Sequence, residues 1–172
     1  EGGEADGFAG RVDGAEIVVL AVPDTAIGKV AHAIIGKLKA GTMIVVLDAA
    51  APYAGHLPRR DDVTYFITHP CHPPIFNDET DMAAKLDRFG GVAAKQAIVC
   101  ALMQGPESDY ARGEAVARTI WAPVMRSHRL TVEQIALLEP GLAETVVAAL
   151  LDVMREAMDE VVRRGVPEAA AR

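Results

Sequence analysis

Two continuous runs of β-forming residues constrain this 172-residue chain more than any other feature of its sequence. The run AEIVVLAV covers residues 15–22 and the run TMIVVLDA covers residues 42–49, and neither alternates between apolar and polar positions. Strands that are apolar on both faces are typical of a parallel sheet with helices on both sides. The two runs therefore predict an α/β fold, in which strands and helices alternate.

The segment between these runs has the pattern of an amphipathic helix. Asp24 or Thr25 is a suitable N-cap, and Gly41 follows the last lysines as a stop signal. Apolar residues recur between these ends at helical spacing: Ile27, Val30, Ala31, Ile34 and Leu38. A strand, a helix and a strand in this order predict a βαβ unit, whose crossover is right-handed by default.

Two further strands are predicted over residues 63–70 and 93–104. The connection between them, residues 73–92, is too long for a turn and has room for one short helix near residues 80–88. Long connections at strand ends often carry functional residues. We therefore expect this connection to contribute to a site.

After residue 105 the pattern changes to helices, and the last of them is long and amphipathic. We expect the second half of a Rossmann-type parallel sheet over residues 1–105 and an all-helical domain over residues 106–172. The first half of the last helix is apolar on nearly all sides, so it needs a cover. A homodimer through the helical domain is the expected arrangement.

Composition excludes several classes of function. The formal net charge is −7 and basic residues form no stripe, so we expect no nucleic-acid binding. We find no apolar stretch of membrane-spanning length and no signal peptide. The two cysteines, Cys71 and Cys100, do not make a disulfide framework. These features predict a cytoplasmic protein, and a chain that starts without Met indicates part of a longer protein.

Neither phosphate-binding glycine motif, GxGxxG or GxxxxGK[ST], occurs in the sequence. The first strand leads into AVPDTAIG, where Asp24 at a helix start would repel a pyrophosphate. If a dinucleotide binds, we expect its phosphates to lie on a strand-turn-helix unit that precedes residue 1.

The segment AEIVVLAVPDTAI resembles the fourth strand and following turn of the β-hydroxyacid, prephenate and ketol-acid type dehydrogenases. Four later segments resemble a narrower group of bacterial oxidoreductases whose C-terminal domain is like that of phosphogluconate dehydrogenase: VLDAAAPYAG, THPCHPPIFNDE, FGGVAAKQAIVCALMQGPESDY and LLEPGLAETV. The resemblance runs from about residue 5 to the end of the chain. It implies an NAD- or NADP-dependent oxidoreductase acting on a small hydroxy acid or sugar acid, with a coupled isomerisation as an open alternative.

The resemblance places the nicotinamide near Val22, Pro23 and Asp24, with Ile27 on the helix that follows. Asp48 ends the second buried strand, at the crevice where doubly wound sheets bind ligands. An unpaired carboxylate would be costly there in a purely structural role, so we group Asp48 with the cofactor-binding residues. The alternative for the turn is a rigid bend with a helix N-cap.

His69 and His72 follow the third strand, which delivers them to the same crevice, and neighbouring prolines restrict the backbone. An imidazole titrates near neutrality, so the pair could hold a substrate carboxylate or move a proton. Zinc is an alternative, because Cys71, Asp78 and Glu79 are suitable ligand types. The HPCH spacing matches no zinc motif, so we predict no metal ligand here; turn structure alone is the third interpretation.

Glu139 precedes Pro140 and Gly141, which interrupt a helical pattern, so its carboxylate is predicted at a helix junction. Resemblance to ketol-acid type enzymes implies that Glu139 or Glu144 could hold a divalent metal that polarises the substrate. Five residues are roughly 140° around an α-helix, so these two share a face only if the axis bends. A glutamate before a helix that starts at proline is the alternative, and Lys95 is a minor candidate acid.

Two other functions remain open at this stage. A metal-assisted reductoisomerase would depend on a divalent cation. A non-catalytic nucleotide-binding dimerisation module would bind cofactor without turnover, and it would tolerate the loss of both histidines.

Overall fold

The computed structural model describes residues 12–74 and 78–171, and the structural statements that follow refer to these residues. The chain divides into two compact units, Glu1–Ala136 and Leu137–Arg172. The first unit is an α/β sheet structure and the second is helical. The predicted fold class, an α/β sheet followed by a helical region, is confirmed.

A five-stranded sheet forms the first unit, and its strands lie side by side in the order of the sequence. They are β1 (Ile17–Leu20), β2 (Met43–Val46), β3 (Thr64–Pro70), β4 (Gln96–Gln104) and β5 (Val124–Arg129). Strands β1, β2 and β3 are parallel, β4 is antiparallel to β3, and β5 is parallel to β4.

The helices of this unit are α1 (Asp24–Ile34), α2 (Ala50–Tyr53), α3 (Met82–Leu86), α4 (Asp109–Ile120) and α5 (Val132–Ala136), with a 3₁₀ turn at Ile35–Lys37. Pro23 is the residue at the N-cap of α1, so the expected cap at Asp24 or Thr25 is wrong. Asp24 lies in the first turn, where its negative charge complements the helix dipole.

Both faces of the central strands are buried, as their continuous apolar sequences predict. Ile44 and Val46 of β2 pack with α1 in one cluster of buried residues. Met43 and Val45 point to the other face and pack with Phe66 and α4 in a second cluster. The helix α4 comes so close to the sheet that a Cβ on Gly113 would lie 2.3 Å from the ring of Phe66.

The boundary expected near residue 105 is wrong. The sequence after this point forms α4 and then β5, which pairs with β4 over the register from Gln96↔Val124 to Cys100↔Arg129. The first compact unit accordingly runs to Ala136. The strand VMRSHR was not predicted because its sequence contains no continuous apolar run. It lies at the sheet edge, and most of its residues are exposed.

The expectation of an all-parallel sheet is also wrong at one position. The chain leaves β3 and enters β4 at the same end of the sheet, where Pro70 pairs with Ile98 and the N–H of Cys71 donates to the carbonyl of Ala97. A parallel pair needs a crossover to the opposite end. In the described part of the connection, α3 is the only helix and has five residues, and the chain returns to the edge that it left.

The second unit consists of a π-helical stretch (Leu137–Val147), α6 (Ala148–Arg163) and α7 (Glu168–Ala171). Pro140 lies inside the π-helical stretch, where it removes one backbone donor. The hydroxyl of Thr145 donates to the carbonyl of Pro140 (2.7 Å). Gly165, with φ of +94°, follows Arg164, the C-cap residue of α6.

One helical run, Val132–Arg163, is long and apolar enough to cross a membrane by length and composition. The expectation that the chain has no stretch of this kind is therefore wrong. The core helices of soluble proteins meet the same criteria, so the run is weak evidence of a membrane span.

Candidate functional site

Several residues of the first unit that were predicted to carry function lie at one edge of the sheet. Because β1, β2 and β3 are parallel, their carboxyl ends meet there, and β4 and β5 begin at the same edge. We call this the carboxyl edge. It carries Asp24 after β1, Asp48 after β2 and His69 at the end of β3.

Asp48 and His69 are brought together at the carboxyl edge. An oxygen of the Asp48 carboxylate and a ring nitrogen of His69 lie within 4.8 Å of one another. Asp48 is only 5% exposed, and its Oδ1 accepts the backbone N–H of Ala50 at 2.6 Å. This bond at the start of α2 fixes the carboxylate next to the imidazole.

His69 is half-buried, and its tautomer follows from its hydrogen bond. Its Nδ1 lies 2.8 Å from the backbone carbonyl oxygen of Pro70. A carbonyl oxygen can only accept, so Nδ1 carries the proton and Nε2 is the nitrogen with a lone pair. The indole of Trp121 lies beside it, with ring centroids 6.3 Å apart, and donates to Thr68 Oγ1 at 3.3 Å. The imidazole is therefore set in a defined orientation.

His72 has the same tautomer but a different support. Its Nδ1 lies 2.9 Å from the carbonyl oxygen of Phe89, and its ring meets that of Phe89 edge to face at 5.7 Å. The backbone of His72 is left-handed, with φ of +57°, which is unusual for a residue other than glycine. The rings of His69 and His72 are 6.2 Å apart and nearly perpendicular. The two rings are therefore neighbours, and their role as an acid/base or substrate-binding pair stays a prediction.

The loop that supports His72 is organised by Asp87, which the sequence analysis did not identify. Oδ2 of Asp87 accepts the backbone N–H groups of Val92 (3.0 Å), Ala93 (2.8 Å) and Ala94 (2.9 Å). These bonds hold the pKa of the Asp87 carboxyl below its usual value, and the bond from Ala94 has the largest effect. The sequence signal is an aspartate three residues before two glycines, DRFGG, which is typical of a side-chain-capped turn.

The zinc alternative rests on Cys71 and the two histidines, with Asp78 and Glu79 as further suitable ligand types. Desolvation raises the pKa of the Cys71 thiol above its usual value. Glu79 accepts the N–H groups of Thr80 and Asp81. Within residues 12–74 and 78–171, Cys71, His72 and Glu79 belong to no group of three or more His, Cys, Asp or Glu side chains whose ligand atoms lie close enough together to hold one metal ion. Residues 75–77 of the same motif lie outside the described part of the chain.

The turn after β1 is open to a ligand. Val22 is half-buried, Pro23 and Asp24 are exposed, and a shallow depression of about 640 Å³ runs beside Asp24 along α1. Ile27 differs from this expectation, because its side chain is 1% exposed and packs in the core. Its assignment to the cofactor site is corrected to a core role.

A cavity of about 870 Å³ borders the connection between β3 and β4. Its charged lining residues have both signs, and include Lys85, Arg88, Lys95, Asp78, Asp81 and Asp87. Lys95 is exposed in this lining. Because the lining contains both positive and negative side chains, it does not by itself favour the binding of an anion.

Glu139 and Glu144 both lie in the π-helical stretch of the second unit. The 140° separation expected from an α-helix does not apply there. In a π-helix, residue i is hydrogen-bonded to residue i+5, so residues five apart lie almost above one another. The two carboxylates are therefore on the same side of the stretch, without a bend of the helix axis, and the catalytic role of Glu139 stays a prediction.

The chain is similar to known proteins over nearly its whole length. The family described as phosphogluconate dehydrogenase (decarboxylating) C-term matches residues 77–172. A protein named D-apionate oxidoisomerase from Rhizobium rhizogenes is 75% identical over 161 residues, which are 94% of this chain and 58% of that protein. A protein of the same name from Cupriavidus necator is 66% identical over 94% of this chain and 58% of its own length.

A solved structure has the same fold. It is a semialdehyde dehydrogenase NAD-binding protein from Cupriavidus necator in complex with calcium and NAD, with a TM-score of 0.88 and 65% sequence identity. The match covers 95% of this chain and 59% of that one. The chain thus spans somewhat less than three fifths of the curated relatives named above.

Proposed function

We propose that this chain, which belongs to the family of phosphogluconate dehydrogenase (decarboxylating) C-terminal domains, is part of an NAD-dependent oxidoreductase acting on a hydroxy acid or sugar acid. Support comes from relatives named D-apionate oxidoisomerase and from the similar protein that was solved with NAD. NADP in place of NAD is the alternative cofactor.

The observation that carries the proposal is the histidine pair at the carboxyl edge. His69 lies beside the Asp48 carboxylate, and both His69 and His72 donate from Nδ1 to backbone carbonyls. Each imidazole therefore presents Nε2 as the nitrogen that takes up a proton.

The turn after β1 fits the nicotinamide end of the cofactor and not its phosphates. Pro23 has no N–H, and Asp24 places a negative charge at the start of α1, whereas a pyrophosphate needs free N–H groups there. Residues Val22, Pro23 and Asp24 would contact the ring side, with Asp48 across the edge. When bound, the nicotinamide accepts a hydride from the carbon that carries the substrate hydroxyl.

The chain's own contribution is proton transfer. His72, through Nε2, takes the proton of the substrate hydroxyl as the carbonyl forms, and His69 with Asp48 orients the substrate oxygen. A positioned acid or base contributes roughly 10²- to 10⁴-fold to the rate. Glu139 is proposed as a further acid or base on the basis of the family resemblance.

The decisive variants are His72→Ala and His72→Gln in the full-length enzyme. Glutamine keeps hydrogen-bonding capacity but cannot take up a proton, so both variants should lower kcat/KM by roughly 10²- to 10⁴-fold. The NAD affinity and the melting temperature should stay nearly unchanged. His69→Ala should lower both activity and thermal stability, because His69 lies within β3 and contacts Trp121.

Near-native kcat/KM in His72→Gln and His69→Ala would remove the pair from the mechanism. A full-length protein that binds NAD without turnover, and whose NAD binding survives the loss of both histidines, would favour the non-catalytic dimerisation module. Under the zinc interpretation, each variant and a chelator would instead lower the melting temperature together, because a structural metal contributes to folding.

A metal-assisted isomerisation is the second candidate. It is favoured by the name oxidoisomerase of the relatives, and by the calcium in the similar solved structure. Asp48 and His69 would supply a carboxylate oxygen and a ring nitrogen, and the metal would polarise the substrate carbonyl. Loss of turnover on chelation, with full recovery on addition of a divalent cation, would support it.

We also propose that the full-length protein is a cytoplasmic homodimer that associates through the second unit. Large apolar side chains of this unit are exposed: Leu137, Leu138, Leu142, Val146, Leu150, Leu151, Val153 and Met154. A two-fold dimer would cover such a surface with an identical one. The cytoplasmic location is supported by Cys71 and Cys100, which are both free thiols.

A further inference from the structure

His72 is not oriented by its own segment of chain. It lies between the end of β3 and two prolines, and its left-handed backbone is unfavourable for a side chain with a Cβ. The contact that defines its ring is with the carbonyl of Phe89, 17 residues further along the chain. The orientation of His72 therefore depends on what holds Phe89.

Phe89 is not held by burial of its own ring, because its side chain is 79% exposed. Two residues before it, Asp87 closes the loop of residues 87–94 through three backbone N–H groups, at 2.8 to 3.0 Å. The N–H of Gly90 adds a turn bond to the carbonyl of Asp87 at 3.2 Å. The carboxylate of Asp87 thus fixes the backbone on both sides of Phe89.

The same loop is seated against the start of β4 and the residue after His72. Gly90 has φ of +75°, and a Cβ there would lie 3.1 Å from the side-chain amide of Gln96 and 3.2 Å from Pro73. Gln96 is 3% exposed, and its Nε2 donates to the carbonyl of Trp121 at 3.1 Å. A shift of the loop would therefore disturb Pro73 and the hydrogen bond of His72 together.

We infer that Asp87 is a positioning residue, which sets the tautomer and orientation of His72 by holding the Phe89 carbonyl against its Nδ1. The inference rests on the proposed function of His72 as an acid or base. Asp87 acts through the backbone of the loop, whose N–H groups its carboxylate accepts. Its effect reaches the chemistry because only the Nδ1–H tautomer leaves the lone pair on Nε2.

The test reads the tautomer of His72 directly. The full-length enzyme is labelled with ¹⁵N-histidine, and the ¹⁵N chemical shifts of His72, assigned by comparison with His72→Gln, are recorded with the imidazole neutral. We expect wild-type His72 to be the Nδ1–H tautomer. In Asp87→Ala the ratio of the Nδ1–H to the Nε2–H form should fall by roughly 2- to 10-fold, the range for loss of one hydrogen bond.

Asp87→Asn retains an acceptor oxygen without the charge, and should give an intermediate ratio. The matched control is Asp81→Ala, because Asp81 also accepts a backbone N–H, that of Ala83 at 3.0 Å, but caps α3 instead of holding the Phe89 loop. Asp81→Ala should leave the His72 spectrum and kcat/KM unchanged. In Asp87→Ala, kcat/KM should fall in step with the Nδ1–H fraction, and mainly through kcat.

The outcomes separate the inference from the proposed function. An unchanged His72 spectrum in folded Asp87→Ala or Asp87→Asn would overturn the role of Asp87, whatever the activity. A shifted tautomer in the Asp87 variants, with His72→Gln as active as wild type, would support the role of Asp87 and overturn the proposed role of His72. If Asp87→Ala does not fold, the isosteric Asp87→Asn gives the same decision.

Discussion

The two compact units differ in how far their apolar residues are buried. In the first unit, all four residues of β2 are 0% exposed, because α1 covers one face of the sheet and α4 the other. In the second unit, Leu150, Leu151 and Met154 of α6 are each about 60% exposed. Both segments are rich in apolar residues, so the difference lies in what covers them.

An apolar run thus predicts that a surface needs cover, but not which part of a protein supplies it. The first unit contains its own cover, and this gives the carboxyl edge a rigid base for Asp48 and His69. The second unit exposes its apolar surface, which is typical of an association site. Three substitutions test this contrast, in order of decreasing effect on the stability of folding.

The largest effect is expected for Phe66→Ala. Phe66 is 0% exposed and packs edge to face on Tyr110, with ring centroids 5.7 Å apart. Its truncation should lower the free energy of unfolding by about 3–5 kcal/mol. Urea unfolding followed by the fluorescence of Trp121, the chain's single tryptophan, reports on the first unit. Leu150→Ala is the comparison, and an equal loss in both variants would contradict the contrast between the units.

An intermediate effect is expected for Gly113→Ala. The added Cβ would meet the ring of Phe66 at 2.3 Å, so α4 must move away from the sheet. Overpacking of this kind costs about 1–3 kcal/mol of unfolding free energy. The control is Gly36→Ala, since a Cβ at Gly36 meets nothing within 4 Å. If the two variants unfold at the same urea concentration, α4 and β3 are not in the close contact described here.

The fold was predictable from sequence where a strand is a continuous apolar run. The runs at residues 15–22 and 42–49 became β1 and β2, and the family inferred from the quoted segments is confirmed by the match over residues 77–172. β5 was missed because an exposed edge strand has no apolar run. The direction of β4 was missed because it depends on where the connection returns, and residue patterns do not record this.

The candidate site was predictable only in its side chains. Asp48 and His69 could be placed at one edge because Asp48 follows one strand of the sheet and His69 lies at the end of the next. The hydrogen bond that orients His72 could not be predicted, because its acceptor is the backbone carbonyl of Phe89 and every residue has a backbone carbonyl. Ile27 was misassigned because helical spacing marks the buried face of α1, and that face also contains its core residues. The role of Asp87 in its loop is indicated in the sequence by the two glycines that follow it.

The smallest effect on folding, and the largest on association, is expected for Leu150→Glu. Leu150 is 59% exposed, so within one chain its replacement should change the unfolding free energy by no more than about 0.5 kcal/mol. In a dimer that covers α6, a buried carboxylate without a partner would be strongly unfavourable. Light scattering of the full-length protein should therefore show a dimer for wild type and a monomer for the variant.

Arg155→Gln is the matched control for Leu150→Glu, because it makes the same change of net charge on the same helix. Arg155 forms an exposed ion pair with Asp152 at 3.1 Å, and pairs of this kind contribute little. The control should therefore stay dimeric. A wild-type protein that is monomeric at all micromolar concentrations, with Leu150→Glu unchanged in mass and solubility, would mean that a second copy does not cover the second unit.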